Sequence, residues 1–598
     1  MCNFFIVSAD EFLVDNIRPS LNDNQNTNHF HKLQQQQKLA NGDLTCYIKG
    51  TGANANDCQS SSSPCKTINY ILDLNPTAGF NKGSDKVVII LQSDTSDQDN
   101  NYLNSSSILS NIITVQSQGY QSGSNSYTKY SILSSSKTNS FFNVTNIGQL
   151  TLLGIHFDNI KSNTDKPLIA ISTTDNSQIP RVTVIDCEFE SANASSVLSN
   201  RIFQMNGGSL IIANTKIQNY QFAYDYMVIK IETSSISSGI YRSNILTINN
   251  STISNIKCAR DGTVIYATLN NGGLIELNEV TFTNLTLTYS GGAVWGTLNG
   301  ESKIQLNTLN TFRNCICTSS SYGRGGAFYL ILQNSACKFI ASGQVEFINC
   351  TCAQAGGAVW AEINAGEISL SNIYVENCTG TTGGAIYSNI KGGGKFTING
   401  TNTFYNCSST SGTGGSIYMY ISDTNGKCEI SGQIEIKDSQ SKTSGGGIYF
   451  ENHYGELLIS NLNVTNCKGT IGGGVYSSLT DNGKVTINGT CSISNCQSTS
   501  GNGGGIYIDL VNSNSKYIIS GQIEIKDCSS SSQGGGIWTE IRWGELILTG
   551  VSIKNCKGTV GGGIFSEIKT SGDLTMNGST VVSNCNSTSG NGGGIIIY

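Results

Sequence analysis

From Gly291 to Tyr598 the apolar residues fall in short, β-branched runs that alternate with polar residues, each run closed by Asn or Gly. Leu457-Leu458-Ile459, Val485-Thr486-Ile487 and Gln522-Ile523-Glu524-Ile525 are examples. A period of two predicts strands with one buried face, whereas helical repeats carry longer 3.6-residue periods rich in Ala, Leu, Glu and Lys. The runs also keep a fixed order. A glycine pair, a small residue, an apolar residue and an aromatic follow one another at Gly291-Gly292-Ala293-Val294-Trp295, Gly383-Gly384-Ala385-Ile386-Tyr387, Gly445-Gly446-Gly447-Ile448-Tyr449 and Gly534-Gly535-Gly536-Ile537-Trp538. Ahead of these blocks stand Phe312-Arg313-Asn314-Cys315, Phe347-Ile348-Asn349-Cys350 and Val464-Thr465-Asn466-Cys467.

The spacing turns the pattern into an architecture. Cys378, Cys467 and Cys556 are 89 residues apart, as are Cys407, Cys496 and Cys585, with intermediate steps of 28, 29 and 32. A period of this size marks a solenoid whose units bury their apolar faces only against their neighbours. Three strands per unit are predicted, for example 456–459, 462–465 and 474–477. Stacked in register they make an all-β parallel β-helix solenoid of about 30 residues per coil that rises about 4.8 Å per coil. Asn fits the corners because it tolerates the left-handed conformation and bonds its stacked copies; Gly-Gly fits for the first of these reasons.

Four segments follow. Residues 1–43 are polar and Gln-rich, the composition of a disordered stretch, and His29 and His31 there lack further ligands for a metal site. Residues 44–80 read as a Cys-containing cap with a short amphipathic helix: Ser63 as N-cap, Pro64 in the first turn, Ile68, Ile71 and Leu72 on one face, Asn75-Pro76 as the stop. Residues 81–290 contain irregular coils, and 291–598 regular ones. All five prolines lie at or before Pro180, as expected where a continuous sheet cannot spare an N–H donor. The N-terminus lacks the basic start of a signal peptide and reads as the stub of one. The chain stops inside a repeat, so further sequence is expected beyond Tyr598.

The Gly-Gly-Ala blocks at 291, 325, 356 and 383, alternating with Phe-x-Asn, resemble the repeats of chlamydial polymorphic membrane proteins. Related right-handed β-helix proteins occur in eukaryotic microbes. The resemblance covers about half the chain. It implies a right-handed, pectin-lyase-like β-helix used as an extracellular passenger in adhesion. Two features depart from the family: its Phe-x-x-Asn carries Cys at the fourth position here, and nothing resembles its outer-membrane barrel.

Charge steers nothing. The net charge is −6 and charged residues make up 13% of the chain, about half the usual share, so no basic patch points to nucleic acid. No apolar run approaches the roughly 18 residues that span a bilayer. Chemistry must therefore be sought in the columns that stacking creates. The aromatic column Trp295, Tyr329, Trp360, Tyr387, Tyr418, Tyr449, Tyr476, Tyr507, Trp538 and Phe565 points outward. It serves either as a binding platform for cell-surface glycans or proteins or as a ladder that stabilises the sheet. The Cys column, with Ser439 on one rung, reads as buried thiols, with cross-coil disulfides or a metal as alternatives. Cys46, Cys58 and Cys65 in the cap are better disulfide candidates. Sequons at Asn104, Asn143, Asn193, Asn250, Asn463 and Asn577 fit a secreted glycoprotein, while Asn349, Asn377 and Asn406 are corner residues.

A polysaccharide-active enzyme is the alternative, its site expected in the irregular coils. Glycoside hydrolysis needs two placed carboxylates, and Asn163-Thr164-Asp165 is an isolated tripeptide. His156 and His453 stand alone, and Glu362, Glu451 and Glu540 obey the repeat, as do Glu367, Glu456 and Glu545. No catalytic residue, metal or cofactor is assigned. The expectation is an adhesion or structural scaffold, secreted or at the cell surface.

Overall fold

A computed structural model describes residues 43–54, 57–74, 85–97, 101–103, 112–124, 126–134, 138–158, 160, 163–173, 179–191, 197–232 and 243–598. The expectations for 1–42, for His29 and His31, for Asn75-Pro76 and for the sequons Asn104 and Asn193 lie outside these residues.

The chain winds into a parallel β-solenoid of about 16 turns with about 29 residues per turn. One regular turn shows the plan. Val359–Ile363 lies on the first face, Glu367–Ser371 on the second and Ile373–Glu376 on the third, followed by the two-residue strand Thr379–Gly380. The short fourth strand was not expected; it holds the chain in register between the Asn corner and the glycine pair. Each strand pairs in parallel with its equivalent one turn on, as Val359 with Ile386 and Trp360 with Tyr387. The first face is a ladder of seventeen strands.

Alternation sorts the side chains. In Ile448–Asn452, residues 448, 450 and 452 are buried and the two between them half-buried. The interior is filled by like residues stacking on like: Phe282 on Phe312 at 4.9 Å and Phe312 on Phe347 at 5.3 Å between ring centroids. Outside, the repeating glutamates of the second face meet lysines on adjacent turns, Lys338–Glu367 at 3.0 Å and Lys516–Glu545 at 2.8 Å. Exposed pairs of this kind contribute little to stability.

Two devices turn the corners. Asn255, Asn284, Asn314, Asn349, Asn377 and Asn406 all take the left-handed conformation, and each amide nitrogen donates to the amide oxygen one turn below, at 2.7–3.2 Å. The glycine pair divides its labour. Gly383 has φ +60°, whereas Gly384 is needed for close approach, because a Cβ there would run into the carbonyl oxygen of Gly415. The requirement for the second glycine is therefore steric, not conformational.

The N-terminal segment differs from expectation. The first strand is Leu44–Ile48, which pairs with Val87–Leu91. The helix spans only Ile68–Leu72, with Thr67 as N-cap accepting from the Tyr70 N–H. Ser63 and Pro64 do not start it. Cys65 bridges to Ile48, donates its N–H to the Tyr47 carbonyl at 2.9 Å and is bonded to Cys58, so the chain is held extended until Thr67. Ile68, Ile71 and Leu72 are buried, as their shared face predicts.

A candidate functional site on the first face

Strand register places one outward column along the whole first face. From the N-terminal end it runs Tyr102, Asn143, Ala170, Gln204, Lys230, Tyr266, Trp295. It then continues through the aromatic residues to Trp538 and Phe565. Its character changes once, at Tyr266.

From Tyr266 to Trp538 ten rings stack face to face without a gap. Centroid separations lie between 4.3 and 6.0 Å and interplanar angles between 2 and 18°. Tyr266 extends the stack one rung below the sequence-based column, where a preceding Val264-Ile265 without an adjacent glycine pair hid it. Parallel in-register strands at about 4.8 Å leave one ring thickness plus van der Waals contact between rungs. Each ring face is therefore covered by the next ring, and edges and hydroxyls meet the solvent. Trp360 and Trp538 are the most enclosed tryptophans, 5% and 4% exposed. The Arg324 guanidinium lies 5.2 Å from the Trp360 ring centroid, and the Trp538 indole N–H donates to Gln533 Oε1 at 3.2 Å. Burial, with the nearby Glu451 carboxylate, pushes the Tyr418 and Tyr449 hydroxyls far above the ordinary tyrosine range.

Below Tyr266 the rings stop and a cleft opens. It has a volume of about 330 Å³ and is lined by Tyr102, Asn143, Lys166, Ala170, Gln204 and Asn206 among others. Ala170 lacks the side chain to fill its rung, and Tyr102 is 50% exposed. Sequence reasoning missed this place. Its only signal was negative, a rung where the outward residue is small, and the strands of 81–290 lack the period that identifies rungs.

A second outward column runs beside the rings, two residues further along each strand. Glu451, Ser478, Asp509 and Glu540 occupy successive rungs. Asp509 and Glu540 side chains are only 14% and 13% exposed. Burial raises the Asp509 carboxyl, with Arg542 opposing. Burial also pulls on Glu540, but hydrogen bonds from Lys569 and Arg542, at 2.9 and 2.8 Å, leave it lowered. His453 is not alone: its Nε2 lies 3.1 Å from Glu451 Oε1 and its Nδ1 3.7 Å from Asp481 Oδ2. The two carboxylates sit against opposite ring nitrogens and so do not converge on one point. His156 pairs its Nδ1 with the Ser131 hydroxyl at 3.1 Å, and Asp165 is exposed. Among the described residues no group of three or more His, Cys, Asp or Glu is placed to hold a metal ion.

The Cys column faces inward. Cys315, Cys350, Cys378, Cys407, Cys467, Cys496, Cys528 and Cys556 are buried free thiols, and Cys585 is half-buried. Each thiol bonds to backbone carbonyls, as Cys496 does to Ser494 at 3.4 Å and to Val464 one turn below at 3.7 Å. Burial pushes the Cys407 thiol up to about 12, which keeps that sulfur protonated and unreactive. Of the cap cysteines, Cys58 and Cys65 form a disulfide and Cys46 is a buried free thiol. The sequon asparagines 349, 377 and 406 are committed to the corner ladder, while Asn463 is exposed.

No helix among the described residues is long and apolar enough to cross a membrane. A scan of protein-family models gives no match to the chain, and a search of curated proteins gives none either.

Proposed function

We propose that the protein is a secreted or cell-surface repeat scaffold for adhesion or ligand binding, akin to the right-handed, pectin-lyase-like passengers of the polymorphic membrane proteins. One observation carries this reading: a single rigid face that bears a cleft at one end. Seventeen strands at about 4.8 Å make a ladder roughly 80 Å long, and ring-on-ring stacking stiffens most of it. Such a rod holds its cleft far from the opposite end, which suits recognition at a distance. The Cys58–Cys65 disulfide fits an oxidising compartment. Cell-surface glycans or proteins are the proposed partners. The test is to pass the purified chain over cells and immobilised polysaccharides while measuring retained protein and newly released sugar ends. Retention without release supports the scaffold; release of sugar ends sinks it.

A polysaccharide-active reading draws on Asp509 and Glu540, two enclosed carboxylates on adjacent rungs, one raised and one lowered. Opposed shifts are what a general acid and its partner need. They lie outside the irregular coils of 81–290, where the sequence points for such a site. Sugar-end release that disappears in Asp509→Asn and in Glu540→Gln is the result that favours this reading.

A further inference from the structure

We propose that the ten-ring stack on the first face relays one-electron oxidation, passing the missing electron from ring to ring between Tyr266 and Trp538. The relay is a property of the face itself and does not rest on the adhesion reading. Geometry makes the path continuous. Centroids lie 4.3 Å apart from Tyr266 to Trp295 and 6.0 Å apart at the widest step, Trp360 to Tyr387, where the planes differ by only 2°. Nine steps of about 4.8 Å carry the path over roughly 43 Å. Composition makes it oxidisable, because phenol and indole rings give up an electron more readily than a benzene ring. Seven tyrosines and three tryptophans fill the ten rungs, and none of the chain's 20 phenylalanines does. Phenylalanine enters the column only at Phe565, one rung past the stack. Where stacked rings serve packing alone, in the interior, they are Phe282, Phe312 and Phe347.

A tyrosine that loses an electron also loses its phenolic proton, so the relay needs a base beside the rings. The second outward column supplies one. The Tyr418 hydroxyl donates to Glu451 Oε2 at 3.3 Å, and the same carboxylate lies near the Tyr449 hydroxyl. At Tyr418 a diffusible radical oxidant takes one electron and is itself reduced; the O–H bond breaks, the proton passes to Glu451, and a neutral tyrosyl radical remains. The hole moves on when that radical takes an electron from the next ring and recovers its proton from Glu451. A one-electron reductant such as ascorbate ends the relay by returning an electron and a proton. Trp538 becomes a cation radical that keeps its indole proton, since its N–H is bonded to the Gln533 amide oxygen, which is no base. Arg324, 5.2 Å from the Trp360 ring centroid, opposes positive charge there. The hole therefore passes Trp360 and comes to rest on Tyr418 and Tyr449, beside Glu451.

The experiment uses the full chain carrying Trp295→Tyr, Trp360→Tyr and Trp543→Phe, which leaves Trp538 as the single tryptophan and a ring on every rung. A laser pulse at the red edge of the indole band, where tyrosine does not absorb, ejects an electron from Trp538, and dissolved oxygen takes it up. Transient absorption follows the tryptophanyl radical as it turns into tyrosyl. A nitroxide added afterwards traps the radical where it rests, and peptide mass spectrometry locates the adduct. Conversion is expected at a rate independent of protein concentration, with the adduct on Tyr418 and Tyr449. Tyr476→Phe/Tyr507→Phe keeps both rings and removes two stations, and is expected to slow conversion about tenfold or more. Loss of two hydroxyls would not touch a stack that serves only to stiffen the sheet. Glu451→Gln removes the base and is expected to move the adduct off Tyr418 and Tyr449, while Tyr454→Phe, outside the stack, changes nothing. Circular dichroism and melting temperature check that each variant folds. A radical that stays on Trp538, a rate that follows protein concentration, or a rate and an adduct that neither the double variant nor Glu451→Gln alters, overturns the relay.

Discussion

The Ser416 hydroxyl lies 2.7 Å from the Ser439 hydroxyl across the interior of one turn, and both residues are fully buried. Ser439 is the one rung where the Cys column lacks a cysteine, and Ser416 is the one rung where the third residue of the glycine block is neither Ala nor Gly. On the neighbouring turns that third residue sits against the thiol, a Cβ at Gly447 lying 3.4 Å from Cys467 Sγ and one at Gly474 3.2 Å from Cys496 Sγ. The two positions therefore vary together. A bulky thiol takes a small partner, and a small hydroxyl takes a second hydroxyl that satisfies it.

Removing Ser439 takes from the Ser416 hydroxyl its 2.7 Å partner and from the Cys407 N–H its acceptor at 3.4 Å. Ser439 without Ser416 still donates to the Lys437 carbonyl at 3.3 Å. Ser439→Ala is expected to cost about 1–3 kcal/mol, and Ser416→Ala/Ser439→Ala less than the sum of the single changes, with a coupling of about 1 kcal/mol. Ser416→Gly/Ser439→Cys, which copies the turn above, is expected to fold as well as the parent. Urea denaturation of the four proteins measures the cycle. Strict additivity would refute the coupling.

Glycines with different duties should answer substitution differently. Gly272 has φ +73° and open space where a side chain would begin, so Gly272→Asn keeps its left-handed turn and is expected to cost less than about 1 kcal/mol. Gly384→Ala pushes a methyl into the Gly415 carbonyl, where only backbone can yield, at about 3 kcal/mol. Melting temperatures and hydrogen exchange around residues 383–415 report the difference. Equal tolerance of both substitutions would remove the close-approach argument.

The aromatic stack makes stability depend on alkaline pH. Burial raises Tyr476 to about 12, and Tyr418 and Tyr449 beyond that, from an ordinary value of 10.0. The folded state then keeps protons that the unfolded chain loses. The contribution is full below pH 10 and declines as pH climbs from 10 through 12. Absorbance at 295 nm should show the stack tyrosines ionising only together with unfolding. Full tyrosine ionisation near pH 10 in a still-folded protein would contradict this.

The Asn ladder has a weak rung at Asp438. Its carboxylate accepts from Asn466 at 3.0 Å but has no N–H to give Asn406, whose own amide donates down to Asn377 at 2.7 Å. Asp438→Asn supplies that donor and is expected to stabilise by about 0.5–1 kcal/mol. A lower melting temperature in the variant would show that the ladder is not limiting there.

Much of this could be read from the chain alone. The 89-residue spacing of Cys378, Cys467 and Cys556 fixed the period, and two-residue alternation fixed which residues point inward, because both are consequences of local backbone geometry. The Asn and Gly corners and the outward aromatic column follow from the same local rules.

Tertiary structure decided everything that depends on which residues lie one turn apart. It set ring on ring from Tyr266 to Trp538, so that an apparent platform turned its faces inward on itself. It revealed that Gly384 is required by the carbonyl of Gly415, thirty-one residues away. It left the column thiols reduced and joined Cys58 to Cys65 instead. It brought Tyr102, Asn143, Ala170 and Gln204 onto one column through turns of unequal length. The reason is the same in each case: alternation along a strand is local, whereas register between turns is fixed by loop lengths and core packing together.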